Sequence, residues 1–288
     1  MYKNIRLTES LEEANFVTHS GKFHVDEVMA TVFLSKINDN IILFRTPSTQ
    51  NLNLNNKLVY DIGYGKFDHH QKNRNGKRKE GIYYSSMGLL WKEYGKFYLK
   101  KLNVNDIDSV FNYIDEELIK YIDAADNMQF EYLENKIMPD FIKLCNPEWN
   151  EEVSENEAFM NAVTLADSFW NLYIKHAIAE VEAINIILEK IDNSKECYIY
   201  LDKEMPFRKL NKHLKNNKVK YLIFKSRREG YDVRTLLDCK FKDEVMNLKD
   251  IIYLDNNRKL CCTKTKESAI KIIEFNENKC WKIKYGVI

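Results

Sequence analysis

Four of the six histidines in this 288-residue chain fall into two tight groups with carboxylates beside them. His19, His24 and Asp26 form the first, in a His-x4-His-x-Asp spacing. Asp68, His69 and His70 form the second, and Asp61 stands between the two groups. Imidazole plus carboxylate is a donor set suited to Mn, Fe, Co or Zn rather than Ca. So many of these groups in one place would repel one another without cations. Two metals are therefore expected, and an Asp at the centre could bridge them. A lone histidine near a strand end is usually structural. What points to a metal centre is the combination of the three spacings. For His70 the alternative is to orient a ligand without touching metal.

These residues need elements that bring them together. Residues 15–19 read as a strand, 25–37 as a helix, and 41–44 and 57–61 as two further strands. Strand, helix, strand, strand opens a parallel α/β domain. In such a sheet, ligands bind beyond the carboxyl ends of the strands, which is where His19 and Asp61 fall. Ser86 is a candidate cap for a helix over 87–94 that stops at Gly95. Further helices are expected over 106–122, 127–143 and 156–190, with Pro139 and Pro147 breaking the region between the last two. In the last third, 198–201, 219–224, 231–237, 251–254 and, more weakly, 260–263 read as strands. Segments 206–214 and 267–275 read as helices. The expected fold is α/β: a parallel-sheet metal-binding domain over 1–155, a connecting helix over 156–194, and a smaller α/β substrate-binding domain over 195–288.

Composition narrows the function classes. Forty-four Lys plus Arg against 43 Asp plus Glu leave a formal charge of +1. That excludes a uniformly basic nucleic-acid coat but leaves room for a local basic groove. A hydrophobic content of 44% argues against disorder over the whole length. No apolar run approaches the ~18 residues of a membrane span, and no apolar core follows the first residues, so neither membrane insertion nor secretion is expected. The cysteines at 145, 197, 239, 261, 262 and 280 show no metal-ligand spacing, and a vicinal pair bridges poorly. Reduced thiols in a cytoplasmic protein are the expectation. No HExxH helix, Gly-x-Ser-x-Gly elbow or P-loop is present.

Directly after the second group, Lys72, Arg74, Lys77, Arg78 and Lys79 are interleaved with Asn73, Asn75 and Gly76. This composition predicts a turn or mobile flap that recruits phosphate; the alternative is a solvated face. Arg227 and Arg228, near Lys225, form a second basic cluster that would face a cleft. Trp91, Trp149 and Trp170 sit in helical or near-helical contexts and read as core residues.

The stretches Thr18-His19-Ser20-Gly21-Lys22-Phe23-His24-Val25-Asp26-Glu27 and Phe67-Asp68-His69-His70-Gln71 resemble the metal-dependent hydrolases named after melanocyte proliferating gene one. Asp68-His69-His70 also resembles the signature of the wider DHH phosphoesterases. Ser85-Ser86-Met87-Gly88-Leu89, Ile122-Asp123-Ala124-Ala125-Asp126-Asn127 and Asn146-Pro147-Glu148-Trp149-Asn150 resemble later motifs of the same group, in the same order. The resemblance covers 15–175.

The resemblance implies a two-domain phosphoesterase with two divalent cations, Mn foremost and Mg, Co or Zn as alternatives. It implies a 3′-to-5′ exonuclease acting on single-stranded RNA or short oligonucleotides. His19, His24, Asp26, Asp61 and His69 match its metal positions. The late acidic motif supplies Asp123 or Asp126, with Asp123 preferred. Asp61, Asp68, His69 and His70 are the catalytic candidates, with a metal-activated water as nucleophile. Substrate binding would fall to Lys72, Arg74, Lys77, Arg78, Lys79, Arg227 and Arg228. Residues 237–243 and 255–262 keep none of the family's late Ser-Arg, Trp-Arg-Gly and Gly-rich segments. That departure leaves two alternatives: a small-molecule phosphohydrolase for nucleotides, cyclic dinucleotides or pyrophosphate, and a non-catalytic metal-containing binding protein. Nothing in the sequence sets an oligomeric state.

Overall fold

A short apolar run such as Ile41-Ile42-Leu43-Phe44 is best buried inside a parallel sheet covered on both faces. In the computed structural model, which describes residues 4–72, 74–132, 137–210, 214 and 218–278, it becomes the second strand of such a sheet. The strands are β1 (Ile5–Leu7), β2 (Phe16–His19), β3 (Ile41–Thr46) and β4 (Leu58–Val59), in the order β1-β3-β2-β4 and all parallel. The three-residue edge strand β1 is too short to announce itself by pattern. Helix α1 (Val25–Ile37) connects β2 to β3. Because Phe16 pairs with both Leu43 and Leu58, the carboxyl ends of β2 and β4 are neighbours. His19 closes β2 and Asp61 follows β4, so the topology brings both to one sheet edge.

Helices α2 (Ser86–Lys101), α3 (Ile107–Ile114), α4 (Lys120–Asp126), α5 (Ile137–Lys143) and α6 (Glu155–Asp192) follow. Ser85, rather than Ser86, caps α2 and accepts from the Gly88 N–H. A π-turn at Asp115–Ile119 joins α3 to α4, so one helical run continues to Asp126. The stretch expected as a helix over 127–143 holds a single 3-10 turn, Phe130–Tyr132, and the short α5; residues 133–136 lie outside the described residues. Trp91 and Trp170 are fully buried, and Phe33 lies 5.6 and 5.7 Å from their rings.

The chain divides into two units, Met1–Ile178 and Ala179–Ile288, and α6 contributes to both. The second unit has a mixed sheet ordered β5-β6-β7-β9-β8. Its strands are β5 (Tyr198–Leu201), β6 (Tyr221–Lys225), β7 (Tyr231–Thr235), β8 (Ile251–Leu254) and β9 (Leu260–Thr263). Only the β5–β6 pair is parallel. Ile184, Ile187 and Ile191 of α6 pack with Leu222 and Phe224. Ile272 and Ile273 of α7 (Lys266–Asn276) pack with Tyr221, Ile223 and Val233. Residues 206–209, expected to open a helix, are coil and turn, and the rest of that segment lies largely outside the described residues. Cys145, Cys197, Cys239, Cys261 and Cys262 are free thiols.

Helix α2 runs through Gly95 instead of stopping there. A Cβ at Gly95 would stand 2.8 Å from the rings of both Trp91 and Phe111, which stack at 5.2 Å. The glycine is therefore a slot for aromatic packing, not a terminator. Helix propensity alone favours Gly95→Ala by about 1 kcal/mol. Overpacking opposes it by about 1–3 kcal/mol. Packing should win, and Gly95→Ala should unfold at lower urea concentration than the parent. A raised midpoint would mean that the two rings yield freely.

Candidate metal centre

The centre is built on the loop after β2, the first turn of α1, the loop after β4 and the end of α4. His19 Nε2 lies 2.8 Å from Glu27 Oε1 and 3.1 Å from Asp61 Oδ2. The other Asp61 oxygen, Oδ1, lies 3.2 Å from His69 Nε2. His69 Nε2 also stands 2.9 Å from Asp126 Oδ2 and 3.9 Å from Asp26 Oδ2. Three sets of side chains are close enough to share an ion: His19, His24 and Glu27; Asp61, His69 and His70; Asp26, His69 and Asp126. Asp61 thus faces both halves, one oxygen to each. Its backbone is left-handed, at φ +56°, a conformation that Asp and Asn tolerate better than most residues.

The electrostatics match a cation-binding site. Burial raises the Asp26 carboxyl well above its ordinary pKa, and the nearby Asp126 and Asp61 charges push it further. Burial likewise raises Glu27. Burial alone would raise Asp61 too, but hydrogen bonds from His19 and His69 outweigh it and hold the carboxyl below its usual range. Burial works against charge on His19 and His69, yet their carboxylate partners lift each to about 11. Without metal, two imidazolium ions therefore offset a crowd of acids. Glu27 Oε2 is buried with no hydrogen-bond partner. A hard cation would meet each of these needs, so the residues present fit one.

The other expected residues sort differently. Asp68 is buried, with one oxygen accepting from the Tyr64 N–H at 2.6 Å and the other from the His70 N–H at 3.0 Å. His70 Nδ1 lies 2.7 Å from that second oxygen, so Asp68 orients His70. This hydrogen bond raises the His70 pKa, and its side chain remains 56% exposed. Asp126 enters the centre; Asp123, the preferred residue in sequence, does not. Asp123 accepts from the Ser85 N–H at 2.9 Å, the Ser85 hydroxyl at 2.8 Å and Arg78 Nε at 2.8 Å. Burial pushes its carboxyl up to about 6 against those three bonds. A Cβ on Gly88 would stand 2.1 Å from it, which explains the small residue there.

Arg78 is accordingly not a flap cation. It is buried, and it also binds Asp115 through Nη1 and, at 2.8 Å, through Nη2. The segment expected as a flap carries a bridge between Lys77 and Tyr83. Lys72, Lys77 and Lys79 are exposed. Arg74 donates to Asn127 Oδ1, whose same oxygen lies 3.4 Å from His69 Nδ1, and its guanidinium sits 4.4 Å over the Tyr83 ring. Arg227 and Arg228 lie in the β6–β7 turn of the second unit, where Arg227 pairs with Glu204 at 2.7 Å. Sequence reasoning missed Glu27. The available signal was a capping box, in which the His24 N–H donates to Glu27 Oε1 at 2.8 Å.

A family model described as "Uncharacterised protein family (UPF0160)" and labelled for MYG1 exonuclease matches residues 15–244. The MYG1 protein YER156C of Saccharomyces cerevisiae is 29% identical over 58% of this chain and 56% of its own length. The MYG1 exonuclease of Rattus norvegicus is 27% identical over 51% of this chain and 46% of its own. The match thus spans roughly half the length of each of these relatives. Among solved structures, a Vibrio pGpG-specific phosphodiesterase aligns over 90% of this chain and 95% of its own at 12% identity. Its TM-score is 0.32, too low to carry an argument.

The Arg78 network makes a stability prediction. Arg78→Ala takes the counter-charge from the buried Asp123, which keeps only its Ser85 hydrogen bonds, and should cost about 3–5 kcal/mol. Lys79→Ala, on the exposed side, should stay within about 0.5 kcal/mol. Urea unfolding of the two variants checks this. Equal stability would return Arg78 to the surface flap.

Proposed function

The chain belongs to the MYG1 exonuclease family, UPF0160, and on that premise we propose that it is a divalent-cation-dependent phosphodiester hydrolase. Its substrate in this reading is single-stranded RNA or a short oligonucleotide, shortened from the 3′ end. The observation that supports it most is Asp61, which turns one oxygen to His19 and the other to His69. His19, His24, Glu27 and Asp61 would hold one cation. Asp26, Asp61, His69 and Asp126 would hold a second, Mn ahead of Mg, Co or Zn. When bound, such a pair supplies Lewis acidity that acidifies water and offsets charge on phosphate.

The chain's own groups do the rest. Asp26 fixes the start of α2 by accepting from the N–H groups of Ser86 at 3.0 Å and Met87 at 2.6 Å, so its position does not depend on substrate. Asp68 holds His70 by Nδ1, which leaves Nε2 to donate a proton to a phosphate or leaving oxygen. Arg74, fixed by Asn127 and Tyr83, offers a guanidinium to a neighbouring phosphate. Lys72, Lys77 and Lys79 add screened attraction without reading base identity. The second reading, a small-molecule phosphohydrolase, is favoured by the divergent segments at 237–243 and 255–262.

Purified protein with Mn should release mononucleotides from single-stranded RNA, and a chelator should stop the release. Asp61→Asn should lower kcat by about three orders of magnitude or more while the chain still folds, as its circular dichroism would show, because Asn tolerates the same left-handed backbone. Asp126→Asn should share the loss of activity. Asp123→Asn should mainly lose stability. Wild-type turnover by Asp61→Asn at saturating Mn would remove the bridging role.

A further inference from the structure

Trp149 reads as a core residue in sequence, yet it is 94% exposed, more than any other large hydrophobic side chain among the described residues. It does not sit on a loose loop. The Glu151 N–H donates to Glu148 O at 3.1 Å, and the Glu148 N–H donates to Glu151 Oε2 at 3.0 Å, so Trp149 tops a hydrogen-bonded turn. Three residues earlier, Asn146 grips the backbone of Phe23 from both sides. Its Oδ1 accepts from the Phe23 N–H at 2.9 Å, and its Nδ2 donates to Phe23 O at 2.8 Å. The Phe23 ring is buried edge-on against Phe159 at 5.7 Å. Phe23 directly precedes His24 of the metal-ligand set. Three residues of chain reach about 10 Å at most, which ties Trp149 to the turn that carries His24.

Two further observations bear on the indole. Glu148, Glu151 and Glu152 are exposed around it, a local charge that repels a passing phosphodiester backbone. An uncharged aromatic face is not repelled. Arg74 is tied through Asn127 to His69, on the other side of Asp61. Arg74 thus lies toward the His69 half, and the acid-ringed aromatic is tied through Asn146 to the turn that carries His24.

We propose that Trp149 stacks on the base of the strand's terminal nucleoside, where no further phosphate follows, while the continuing strand leaves by the Arg74 side. This rests on the phosphodiesterase reading and deepens it: the site would take substrates that carry a base and a free end.

The test compares wild type, Trp149→Ala and Trp149→Phe, with Mn, on two short oligoribonucleotides. One is intact and the other is abasic at the hydrolysed end. Trp149→Ala should raise KM for the intact substrate about tenfold, the worth of one base stack. It should leave kcat, Mn affinity and the KM for the abasic substrate unchanged. Trp149→Phe should retain most of the wild-type KM. Equal effects on both substrates, or an unchanged KM for the intact one, would overturn the stacking role and leave the phosphodiesterase reading standing. If wild type hydrolyses neither oligonucleotide, the phosphodiesterase reading falls and this inference falls with it.

Discussion

Like charges crowded away from water are the constraint on which the first unit depends. Asp26, Glu27 and Asp61 are buried, and Asp126 stands within hydrogen-bond reach of the same imidazole that Asp61 touches. Repulsion among them has to be offset locally, because a buried charge finds little screening elsewhere. His19 and His69 supply part of the compensation. The N–H groups at the start of α2 supply another part, through Asp26. A helix N-terminus is a natural partner for an anion, and here it fixes one wall of the centre before any ligand arrives. What this leaves uncompensated, including the unpartnered oxygen of Glu27, is what a cation would satisfy.

A second charged system lies behind the first and has a different purpose. Asp123 and Asp126 are three residues apart on α4 and diverge enough to serve separate neighbours. Asp126 meets His69, whereas Asp123 is enclosed by Ser85, Arg78 and the bare face of Gly88. Arg78 then reaches on to Asp115 at the π-turn, so one guanidinium joins the flap to the α3–α4 run. Arg78 and Asp123 are buried and Asp115 is partly exposed, so this network braces the segment after the second histidine pair against the helical run behind it.

The division explains what could be read from sequence. The alternation of β2, α1 and β3 was legible because a parallel sheet leaves a local apolar signature, and His19, His24, Asp26 and Asp61 follow from strand ends and spacing. The choice between Asp123 and Asp126 was not legible. Both are acidic, both lie on one helix, and only the positions of Arg78 and His69 separate them. Arg78 itself looked like a member of a basic run because burial is a tertiary property. Gly95 looked like a helix stop for the same reason: the aromatic pair that occupies its bare face comes partly from another helix. Trp149 erred the other way, since helical context suggested a core that the fold does not provide.

Distance along the chain is the remaining element. The turn that carries His19 and His24 makes little structure of its own and is held from far away. Arg45 of β3 donates to His19 O at 3.2 Å and to Gly21 O at 3.1 Å. The same guanidinium reaches Asn156 at 3.0 Å and lies 4.2 Å over the ring of Phe159, both on α6. Asn146 and Phe159 hold Phe23 in the same turn. The loop is held at one end by Arg45, itself tied to Asn156 and Phe159 of α6, and at the other by Asn146 and Phe159, both more than a hundred residues away. The family match over residues 15–244 includes the motif near Pro147 and all of α6. The motif near Pro147 and the first turn of the long helix thus support the turn that carries His19 and His24 of the candidate metal centre.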